Sequence, residues 1–504
     1  MNATELLTAL RNDAKHFGPE LARSAYEKGL AVTKREDGTT KPIPITATPV
    51  IVNDAELAER LKLSALLSSA GAKMAHALMK GSKRALLLDA MSPLEQRLAL
   101  ATYERALMLV TTRVDFFVGA RASALELNAT IPAMQGYSEI AAHTLLDIVG
   151  RRWGLDAAGV ARLQAQNGSN ARALYDALLQ GYAKVRPGKT PRTIALLCRR
   201  NDAQLTEQRY LCSRFRAFGA DADVVHPDEL SGDDAVRANG KAYELVYRHL
   251  FVRRLEEPDM KGADYVVKLL EEPQGKRAVV LNPPASQVEA KLVFALMSQA
   301  LEDAAIGTDA DLTKAELDAI AQSVPWTRPF HDDTMLKKVS ADPDRYVLKR
   351  SWDYGGRAVF VGRTRNEPSY AERVKAAYGA ELDWQALCQR ALNDRAGGGF
   401  IVQEIVETQP EPHLLCSGDT QSEAQLYVDF SSYASVGLAE RSGATVGGPR
   451  SGGELDAAPA WGGVCRGSIS HIVNIVGGGG VIPLLSETVA RDLTNVYRVH
   501  SKHL

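Results

Sequence analysis

The alternation of extended and helical segments between residues 188 and 290 constrains the fold more than any other feature. Four apolar, β-branched segments there predict strands: Pro191–Cys198, Ala222–Val225, Tyr243–Tyr247 and Ala278–Asn282. Residues 203–218 and 286–303 predict helices between and after them. Strands that alternate with helices are typical of a mainly parallel sheet. The sequence therefore predicts an α/β domain over residues 188–303.

Length and charge limit the classes of protein to which the chain can belong. At 504 residues it is too long for a single hydrophobic core, so several domains are expected. Its formal net charge of −1 gives no global field that would steer it onto nucleic acid or an anionic membrane. No apolar run approaches the length of a membrane span. We therefore expect neither a nucleic-acid partner nor a membrane partner.

The cysteines and the N-terminal segment bear on the cellular compartment. The segment MNATELLTALRNDAK lacks the charged and apolar regions of a secretory signal. Five cysteines without a CxxC pair argue against a disulfide framework and against a thiolate zinc site. These observations predict a reduced, cytoplasmic protein.

The first 104 residues are predicted to be mainly helical. Leucines recur at helical spacing through residues 55–110, among good helix formers. The sequence Ser92-Pro93-Leu94-Glu95 has the form of a helix start, with a capping serine, a proline and a glutamate. Near residue 110 the pattern changes to the β-branched and aromatic segment Leu109–Val118.

Two short motifs place four polar groups on neighbouring strands. Arg113-x-Asp115 and Glu126-x-Asn128 each have polar residues two apart, which share one face of a strand. A hairpin centred between Ala120 and Arg121 would place Asp115 about 5 Å from Glu126, with Arg113 across from Asn128. Carboxylate and amide oxygens suit Mg²⁺, and a guanidinium suits a transferring phosphoryl group. The alternative is a solvated strand face with a salt bridge, and Ala-Arg is not a favoured hairpin turn.

The segment Tyr346–Gly362 is a second candidate site. A predicted strand ends at Lys349, a loop with Gly355 and Gly356 follows, and another strand begins at Arg357. Backbone N–H groups of a glycine loop can approach phosphate closely, and a lysine supplies a point charge. The P-loop pattern is absent, and a strand follows where a P-loop would have a helix. The alternative is a β-hairpin whose turn requires glycine.

The C-terminal part contains further candidate segments. The predicted strand Phe400–Val406 ends in polar residues and could offer backbone groups to an adenine edge, although ordinary strand ends share this pattern. Arg466 and Asn474 lie near Gly477–Gly480, a run that is more often a turn than a ligand loop. The glycine-rich segment 442–463 predicts a mobile loop. Two more strands are predicted: Gln425–Phe430 and Ile469–Val476.

In this order, the segments resemble the circularly permuted ATP-grasp proteins, a group that includes glutathionylspermidine synthase. In ATP-grasp ligases an Arg-x-Asp strand and a Glu-x-Asn strand hold two Mg²⁺ ions on the phosphates of ATP. Here Glu126-x-Asn128 precedes the lid-like segment Tyr346–Gly362 by more than 200 residues, whereas it follows the lid in an unpermuted chain. The resemblance covers residues 105–485 and implies an α/β (α+β) fold with a circularly permuted ATP-grasp.

The resemblance also implies a division of the chain into five parts. These are a helical N-terminal region (1–104), the metal-binding part of the palm (105–187), an α/β pre-ATP-grasp-like domain (188–303), the lid or nucleotide-binding part (304–410), and the C-terminal part of the palm with the glycine-rich loop (411–504).

Each candidate residue receives a role from the resemblance. Asp115, Glu126 and Asn128 would be metal ligands, and Arg113 and Arg466 would be catalytic. The residues implied in ATP binding are Lys349, Ser351, Gly355, Gly356, Gln403, Glu404 and Val406. The residues expected near the acceptor substrate are Pro132, Gln135, Tyr137 and Asn474.

A protein of this kind would be an ATP-dependent carboxylate–amine ligase that uses ATP and two Mg²⁺ ions. A carboxylate would attack the γ-phosphate, and an amine would then displace phosphate to form an amide or peptide bond. A second phosphate lysine, common in the family, would be Lys337 or Lys338. A nucleotide-binding scaffold and a phosphotransferase of the same fold stay open as alternatives. Small-molecule or peptide substrates are expected, while their identity and the oligomeric state are not indicated.

Overall fold

The structure, a computed structural model, describes residues 3–119, 121–353, 355–438, 457–473 and 478–502. Its mixed α/β class agrees with the prediction. The α-helices are Ala3–Glu27, Asp54–Lys80, Ala85–Leu88, Pro93–Thr102, Gln135–Arg152, Ala157–Asn167, Asn170–Val185, Leu205–Ala217, Ala263–Glu271, Ser286–Glu289, Lys291–Gln299, Ala304–Asp309, Lys314–Ser323, Asp333–Ala341, Pro368–Tyr378, Trp384–Asn393 and Glu487–His500. The 3₁₀ helices are Tyr103–Leu107, Pro227–Glu229, Val252–Glu256, Pro343–Arg345, Gly362–Thr364 and Ala396–Gly398. Among the described residues, none of the helices combines the length and the apolar character needed to cross a membrane.

Strands from distant parts of the chain form a large sheet, here called the central sheet. Its described strands, in spatial order, are Glu411–Ser417, Ile45–Thr46, Gly480–Ile482, Ala457–Ser468, Thr420–Val436, Leu109–Val118 and Ala122–Asn128. The hairpin that carries the Arg-x-Asp and Glu-x-Asn motifs lies at one edge of this sheet. Cross-strand neighbours of the hairpin therefore come from the C-terminal part of the chain.

The N-terminal region also contains short strands that the sequence analysis did not predict. Ala31–Thr33 pairs with Thr40–Pro42, and Val50–Val52 pairs with Leu484–Ser486. Ile45–Thr46 joins the central sheet. Strands of two or three residues are too short to give a periodic signal in the sequence. The division of the chain into five parts stays a prediction.

The α/β segment forms the expected parallel sheet. Its described strands, in spatial order, are Val279–Leu281, Leu245–Arg248, Thr193–Leu197 and Asp221–Val225. The strand predicted at Tyr243–Tyr247 is divided, because Lys241–Tyr243 pairs with Val236–Ala238 in a separate hairpin.

The helix predicted at 286–303 is broken at Ala290, whose backbone ψ of 126° is not helical. The backbone N–H of the next residue, Lys291, donates to the carbonyl of Ser351 at 2.8 Å. The break therefore attaches this helix to the loop that follows Lys349.

The predicted lid strands form an antiparallel sheet, here called the lid sheet. Its described strands, in spatial order, are Thr327–Phe330, Phe400–Glu404, Tyr346–Arg350 and Val359–Val361. The lid sheet has its own hydrophobic core, in which Phe360, Trp384 and Leu387 pack between the sheet and the helices 368–378 and 384–393.

Two C-terminal predictions are wrong. Ala457–Ser468 is a strand, although glycine content predicts a mobile loop over 442–463; residues 439–456 lie outside the described residues. A Cβ on Gly463 would lie 2.7 Å from the Ser431 carbonyl oxygen, so glycine there permits close backbone approach. Residues 469–473 contain bends in place of the first part of the strand predicted at Ile469–Val476, and residues 474–476 lie outside the described residues.

The long helix Asp54–Lys80 packs against the hairpin. Leu67 and Leu127 are both buried, in one hydrophobic core with Phe116. Burying a large aliphatic side chain of this kind contributes about 1.5–3 kcal/mol. A Cβ on Gly71 would lie 2.6 Å from Leu127 Cδ2, so glycine lets the helix approach the Glu-x-Asn strand closely.

Asn282 fastens the hairpin to the parallel sheet. Its side-chain oxygen accepts the backbone N–H of Val110 at 2.8 Å. Its amide nitrogen donates to the carbonyls of Thr111 (2.7 Å) and Ala129 (3.3 Å). One buried amide therefore holds the start of one hairpin strand and the end of the other.

Arg248 and Glu289 hold the segment that follows the Glu-x-Asn strand. The Arg248 guanidinium donates to the Thr130 carbonyl at 3.3 Å. The Glu289 carboxylate accepts the backbone N–H groups of Ala129 (3.1 Å) and Thr130 (2.8 Å). Burial lowers the pKa of Arg248 to about 10 and raises the pKa of Glu289. These buried bonds fix the position of the motif relative to the parallel sheet.

Replacing Asn282 with alanine should destabilise the protein. The Asn282→Ala variant leaves three buried backbone groups without this partner, so the free energy of unfolding should fall by about 2–4 kcal/mol. Urea denaturation followed by circular dichroism measures the loss. Asn393→Ala is the control, because that exposed side chain bonds only within its own helix, to the Gln389 carbonyl. Equal losses in the two variants would contradict this role of Asn282.

Candidate active site

The two sequence motifs pair in the predicted register. Arg113 lies across from Asn128, and Asp115 lies across from Glu126. All four polar side chains therefore reach the same region of the hairpin, as the two-residue spacing requires.

The turn of this hairpin differs from the prediction. Val118 pairs with Ala122, which leaves three residues between the strands and moves the centre to residue 120. The register shifts by one residue between Asp115 and Phe116, and Leu125 is the extra residue of this β-bulge. The sequence analysis placed the centre of the turn between Ala120 and Arg121, which is wrong. The bulge compensates for this error, so the two motifs still pair as predicted.

A buried network of ion pairs surrounds Asp115. Its carboxylate accepts from Arg113 Nε at 2.7 Å and from the Arg466 guanidinium at 2.8 Å. Arg466 Nε also donates to the Asp429 carboxylate at 2.9 Å. The network joins three neighbouring strands, since Asp429 lies across from Arg466, and Ser431, two residues further along its strand, lies across from Asp115.

Charge and burial act in opposite directions in this network. Burial alone would raise the pKa of Asp115, but Arg113 and Arg466 outweigh it and hold that pKa well below its usual range. Burial dominates at Asp429 and raises its pKa even though Arg466 opposes the shift. Arg466 stays protonated, because Asp429 and Asp115 raise its pKa against the effect of burial.

Glu126 is the more accessible carboxylate of the hairpin. Its side chain is 36% exposed, whereas that of Asp115 is 2% exposed. Lys291 Nζ lies 3.4 Å from the Glu126 carboxylate and donates to the Asp353 carbonyl at 3.0 Å. The amide nitrogen of Asn128 donates to the Arg113 carbonyl at 3.4 Å. Glu126 is therefore the carboxylate that a ligand can reach most readily.

Lys349 reaches the same region from the lid sheet. Its Nζ donates to Gln403 Oε1 at 2.7 Å and to the Leu125 carbonyl, in the bulge, at 3.1 Å. The Gln403 amide nitrogen donates to Thr327 Oγ1 at 3.0 Å, so this side chain orients Lys349. Burial lowers the pKa of Lys349 to about 8, although Glu126 acts in the opposite direction.

The glycine loop covers this region. Gly355 and Gly356 have φ of +70° and +71°, in the region of backbone conformation that favours glycine. A Cβ on Gly356 would lie 2.9 Å from Ile472 Cγ2. The loop from the lid sheet and the segment 469–473 from the central sheet therefore meet over the site.

These groups line one cavity of about 390 Å³, a volume within the range of small-ligand sites. The predicted site residues that line it are Arg113, Asp115, Glu126, Asn128, Tyr137, Lys349, Gly355, Gly356, Gln403, Glu404, Val406 and Arg466. Pro132, Gln135 and Ser351 are absent from its lining. Asn474 lies outside the described residues.

Ser351 and Gln135 make structural hydrogen bonds. The Ser351 hydroxyl accepts the backbone N–H of Leu292 at 3.3 Å, and its carbonyl accepts that of Lys291. The Gln135 amide nitrogen donates to Thr111 Oγ1 at 3.1 Å. The expected contacts of Ser351 with phosphate and of Gln135 with the acceptor therefore do not follow from this arrangement.

Comparison with known proteins bears on the fold. No protein-family model matches the sequence, and no curated protein matches it. The apo structure of a glutathione synthetase-like effector from Globodera pallida matches with a TM-score of 0.55 and 11% identity, over 96% of this chain and 98% of that chain. The chain has an ATP-grasp-like fold.

Two other solved structures show weaker likeness. A protein described as a gamma-glutamylcysteine synthetase from Methylobacillus flagellatus KT has a TM-score of 0.37 and 12% identity, over 87% of this chain and 97% of that chain. The D-alanyl-alanine synthetase A of Vibrio cholerae O1 biovar eltor has a TM-score of 0.24 and 9% identity, over 59% of this chain and 89% of that chain. At these scores neither adds to the assignment of the fold.

The cavity contains a second lysine that the sequence analysis missed. Neither Lys337 nor Lys338 lines the cavity, and Lys338 Nζ lies 3.9 Å from the centre of the Trp326 ring. Lys291 lines the cavity and stands beside Glu126. No motif surrounds it in the sequence, because it enters the site only through the helix break at Ala290.

Asp429, for which the sequence leaves open an extra acidic group or an ordinary strand residue, also lines the cavity. Its partnership with Arg466 depends on the pairing of two strands joined by a long connection. A local pattern therefore gives no signal for it.

The oxygen donors of the hairpin fit a hard divalent cation. Two carboxylates and one amide lie on one face, and Mg²⁺ usually takes one or two carboxylates together with phosphate oxygens. In the part of the chain that the structure describes, no group of three His, Cys, Asp or Glu side chains could hold a metal. Asp115 is also shared with two arginines. A cation here would therefore take most of its oxygens from nucleotide phosphates and water.

Removing the shared guanidinium should destabilise the protein in a pH-dependent way. Arg466→Met strips a cation from two buried carboxylates, so the free energy of unfolding near neutral pH should fall by about 3–5 kcal/mol. The pKa of Asp429, already raised by burial, should rise further above its unfolded value. A carboxyl group of that kind binds its proton more readily in the folded state, so the deficit should shrink as the pH falls.

Urea denaturation at several pH values measures this deficit. The double variant Arg466→Met/Asp429→Asn is the matched control, and it should recover part of the lost stability because one buried charge is gone. A deficit that is independent of pH and unaffected by Asp429→Asn would refute the network as described.

Proposed function

We propose that the protein is an ATP-dependent carboxylate–amine ligase of circularly permuted ATP-grasp type, working through an acyl phosphate. The observation that carries the proposal is the placement of charges on facing walls of one cavity. Lys349 comes from the lid sheet, Lys291 from the helix beside it, and the Arg-x-Asp/Glu-x-Asn hairpin from the central sheet. The hairpin also precedes the lid strands in the sequence, as in the permuted family.

The lid sheet supplies the proposed site for the adenine base. Val347, Val359 and Val361 line the cavity as an apolar wall. The backbone from Glu404 to Val406 lies at the end of this wall and could meet the polar edge of the base. The Glu404 side chain itself pairs with Arg345 at 2.7 Å, so its carboxylate is directed to that partner.

The phosphates would lie between the two walls. Lys349 and Lys291 supply positive charge, and the Gly355–Gly356 loop offers backbone N–H groups. Mg²⁺, held by Glu126, Asn128 and Asp115, would neutralise charge on the phosphate oxygens. Arg113, at the inner end of the hairpin, would stabilise the transferring phosphoryl group.

The proposed reaction needs little covalent chemistry from the protein. A carboxylate oxygen of the acid attacks the γ-phosphorus, and the bond to ADP breaks. The amine nitrogen then attacks the acyl carbon, the bond to phosphate breaks, and the nitrogen loses a proton. Positioning of the three substrates and stabilisation of charge supply most of the rate enhancement. Contact between Gly356 and Ile472 would help to keep water from the acyl phosphate.

A nucleotide-binding scaffold is the second candidate. It is favoured by one observation, the neutralisation of Asp115 and Asp429 by Arg113 and Arg466, which leaves fewer oxygens for a catalytic cation. Because either function uses ATP, we propose a cytoplasmic location.

Product analysis distinguishes the candidates. With ATP, Mg²⁺ and a panel of acids and amines, the ligase should release ADP and phosphate only when both partners are present. Release of AMP would exclude the acyl-phosphate route, and ATP binding without turnover would favour the scaffold. Glu126→Gln keeps the shape of the side chain but removes its charge, and should lower kcat by at least about 100-fold. Glu372→Gln, the same change at an exposed residue outside the cavity, should leave turnover unchanged.

The affinity for ATP should depend on the charge of Lys349. Because its pKa is about 8 in the protein without nucleotide, the attractive ammonium form is lost as the pH rises through that value. Bound triphosphate would favour the ammonium form, so binding takes up a proton and weakens by up to about tenfold per pH unit above this pKa.

Calorimetric dissociation constants across this pH range test the prediction. Lys349→Met should bind ATP more weakly and should lose the pH dependence, because the titrating group is absent. An unchanged pH dependence in this variant would assign the effect to another group.

A further inference from the structure

Uncharged side chains line one end of the cavity. This end, here called the neutral pocket, is formed by Val32, Met134, Tyr137, Ala203, Gln204 and Phe251. Its walls come from the strand Ala31–Thr33, the start of the helix Gln135–Arg152 and two loops of the α/β segment.

Hydrogen bonds hold these walls together. The backbone N–H of Thr33 donates to the Ala203 carbonyl at 3.0 Å. The Tyr137 hydroxyl donates to the Ala31 carbonyl at 2.6 Å. Val32 therefore lies between the turn of Ala203 and the helix of Tyr137, whose hydroxyl is directed to the strand.

The neutral pocket begins where the charged part of the cavity ends. The chain from Leu125 to Met134 passes Lys349 first, because Lys349 donates to the Leu125 carbonyl. It then passes Arg113, which donates to the Ala133 carbonyl at 2.9 Å, and Met134 follows directly. A substrate whose reacting group lies at Arg113 would thus extend its remote part into the neutral pocket.

Gln204 gives this pocket one polar group in a fixed orientation. His249 Nε2 lies 3.1 Å from Gln204 Oε1, and His249 Nδ1 lies 3.1 Å from Gln208 Nε2. With Gln208 donating to Nδ1, the neutral imidazole donates from Nε2 to the Gln204 oxygen. The amide nitrogen of Gln204 is then the end available as a donor.

The acidic residues near this pocket in the chain have partners elsewhere. Asp202 pairs with Arg199 at 3.0 Å, and Glu207 accepts the backbone N–H of Gly136 at 2.9 Å. Neither carboxylate lines the cavity; Glu289 does line it, but its carboxylate already accepts the backbone N–H groups of Ala129 and Thr130. A charged group that entered the pocket would lose its hydration without meeting a counter-charge, which is strongly unfavourable.

We infer that the neutral pocket selects a substrate whose remote group is uncharged and largely apolar, with at most one oxygen that accepts a hydrogen bond from the Gln204 amide. The inference rests on the proposed ligase function and names its substrate class. It excludes a polyamine tail and a second carboxylate at this position. Either the acid or the amine substrate could carry this uncharged group, and the test distinguishes the two.

Calorimetry of the full chain with Mg²⁺ and a non-hydrolysable ATP analogue tests the inference. The amine probes are isopentylamine, 1,4-diaminobutane and 4-aminobutanoate; the acid probes are 4-methylpentanoate, 5-aminopentanoate and glutarate. Either among the amine probes or among the acid probes, the branched apolar compound should bind at least about tenfold more tightly than both compounds with charged tails. That series identifies the substrate that fills the pocket. Equal affinities in both series, or no binding of either apolar probe, would overturn the inference.

Substitutions at Ala203 provide a matched pair. Ala203 is exposed on a turn, so Ala203→Asp and Ala203→Asn should both fold. Ala203→Asp should shift the preference toward the cationic tail by about tenfold, whereas Ala203→Asn should retain the wild-type order. Phe251→Ala should weaken only the apolar probes. Identical behaviour of the Asp and Asn variants would contradict the inference.

ATP turnover in the same samples separates this inference from the proposed function. If the apolar probe binds selectively but no combination of acid and amine releases ADP, the ligase proposal is wrong and the inference about the neutral pocket stands. If the wild-type protein releases ADP in a reaction that depends on 1,4-diaminobutane, the inference about the neutral pocket is wrong and the ligase proposal stands.

Discussion

The Arg466 guanidinium, shared between Asp115 and Asp429, is the interaction on which the site depends. The three side chains lie on three adjacent strands of the central sheet, so the pairing of those strands brings them together. Each charge would be unfavourable to bury alone, and each is neutralised by its neighbours. With Arg113 included, two arginines balance two carboxylates before any ligand enters. Under the proposed function, most of the charge of the phosphates would therefore be met by Lys349, Lys291 and a cation at Glu126.

Buried polar groups of the parallel sheet hold this arrangement in place. Asn282, Arg248 and Glu289 bond to the backbone of the hairpin or of the segment just after it. They belong to the α/β segment, which also contributes Lys291 to the charged part of the cavity. A catalytic constellation must be held to about 0.5 Å, and bonds to backbone meet that need better than side-chain contacts. The α/β segment thus acts as the support on which the Glu-x-Asn strand is mounted.

The sequence predicts the parts of the site that local patterns encode. The two-residue spacing of Arg113, Asp115, Glu126 and Asn128 determines their common face, whereas their register agrees with the prediction only because the bulge compensates for the wrongly placed turn. The bulge at Leu125 leaves no local pattern in the sequence, and the Lys349 side chain that contacts its carbonyl comes from a distant part of the chain. Lys291 and Asp429 enter through tertiary contacts between segments far apart in the chain, which one sequence does not reveal. Glycine content in 457–463 misleads, because close strand packing requires glycine as often as a mobile loop does. The ATP-grasp-like fold was recognisable only because several weak segments occur together in one order.

The distribution of charge along the cavity explains why chemistry would occur in its middle. The lid wall of Val347, Val359 and Val361 is apolar, and so is most of the neutral pocket at the other end. The charged groups assigned to the phosphates and the cation lie in the stretch between them, from Lys349 to Arg113, and Glu404 at the lid end is paired with Arg345. An electrostatic interaction strengthens as water and polar surroundings are removed, so apolar walls on both sides increase the effect of each charge in that stretch. The same walls have little affinity for a charged group. A substrate that places its carboxylate at Arg113 and an apolar group beyond it fits both regions at once. If the substrate were displaced along the cavity, its carboxylate would lie against an apolar wall. If the acid is the substrate that fills it, the neutral pocket would therefore help to position the reacting carboxylate as well as to select the substrate.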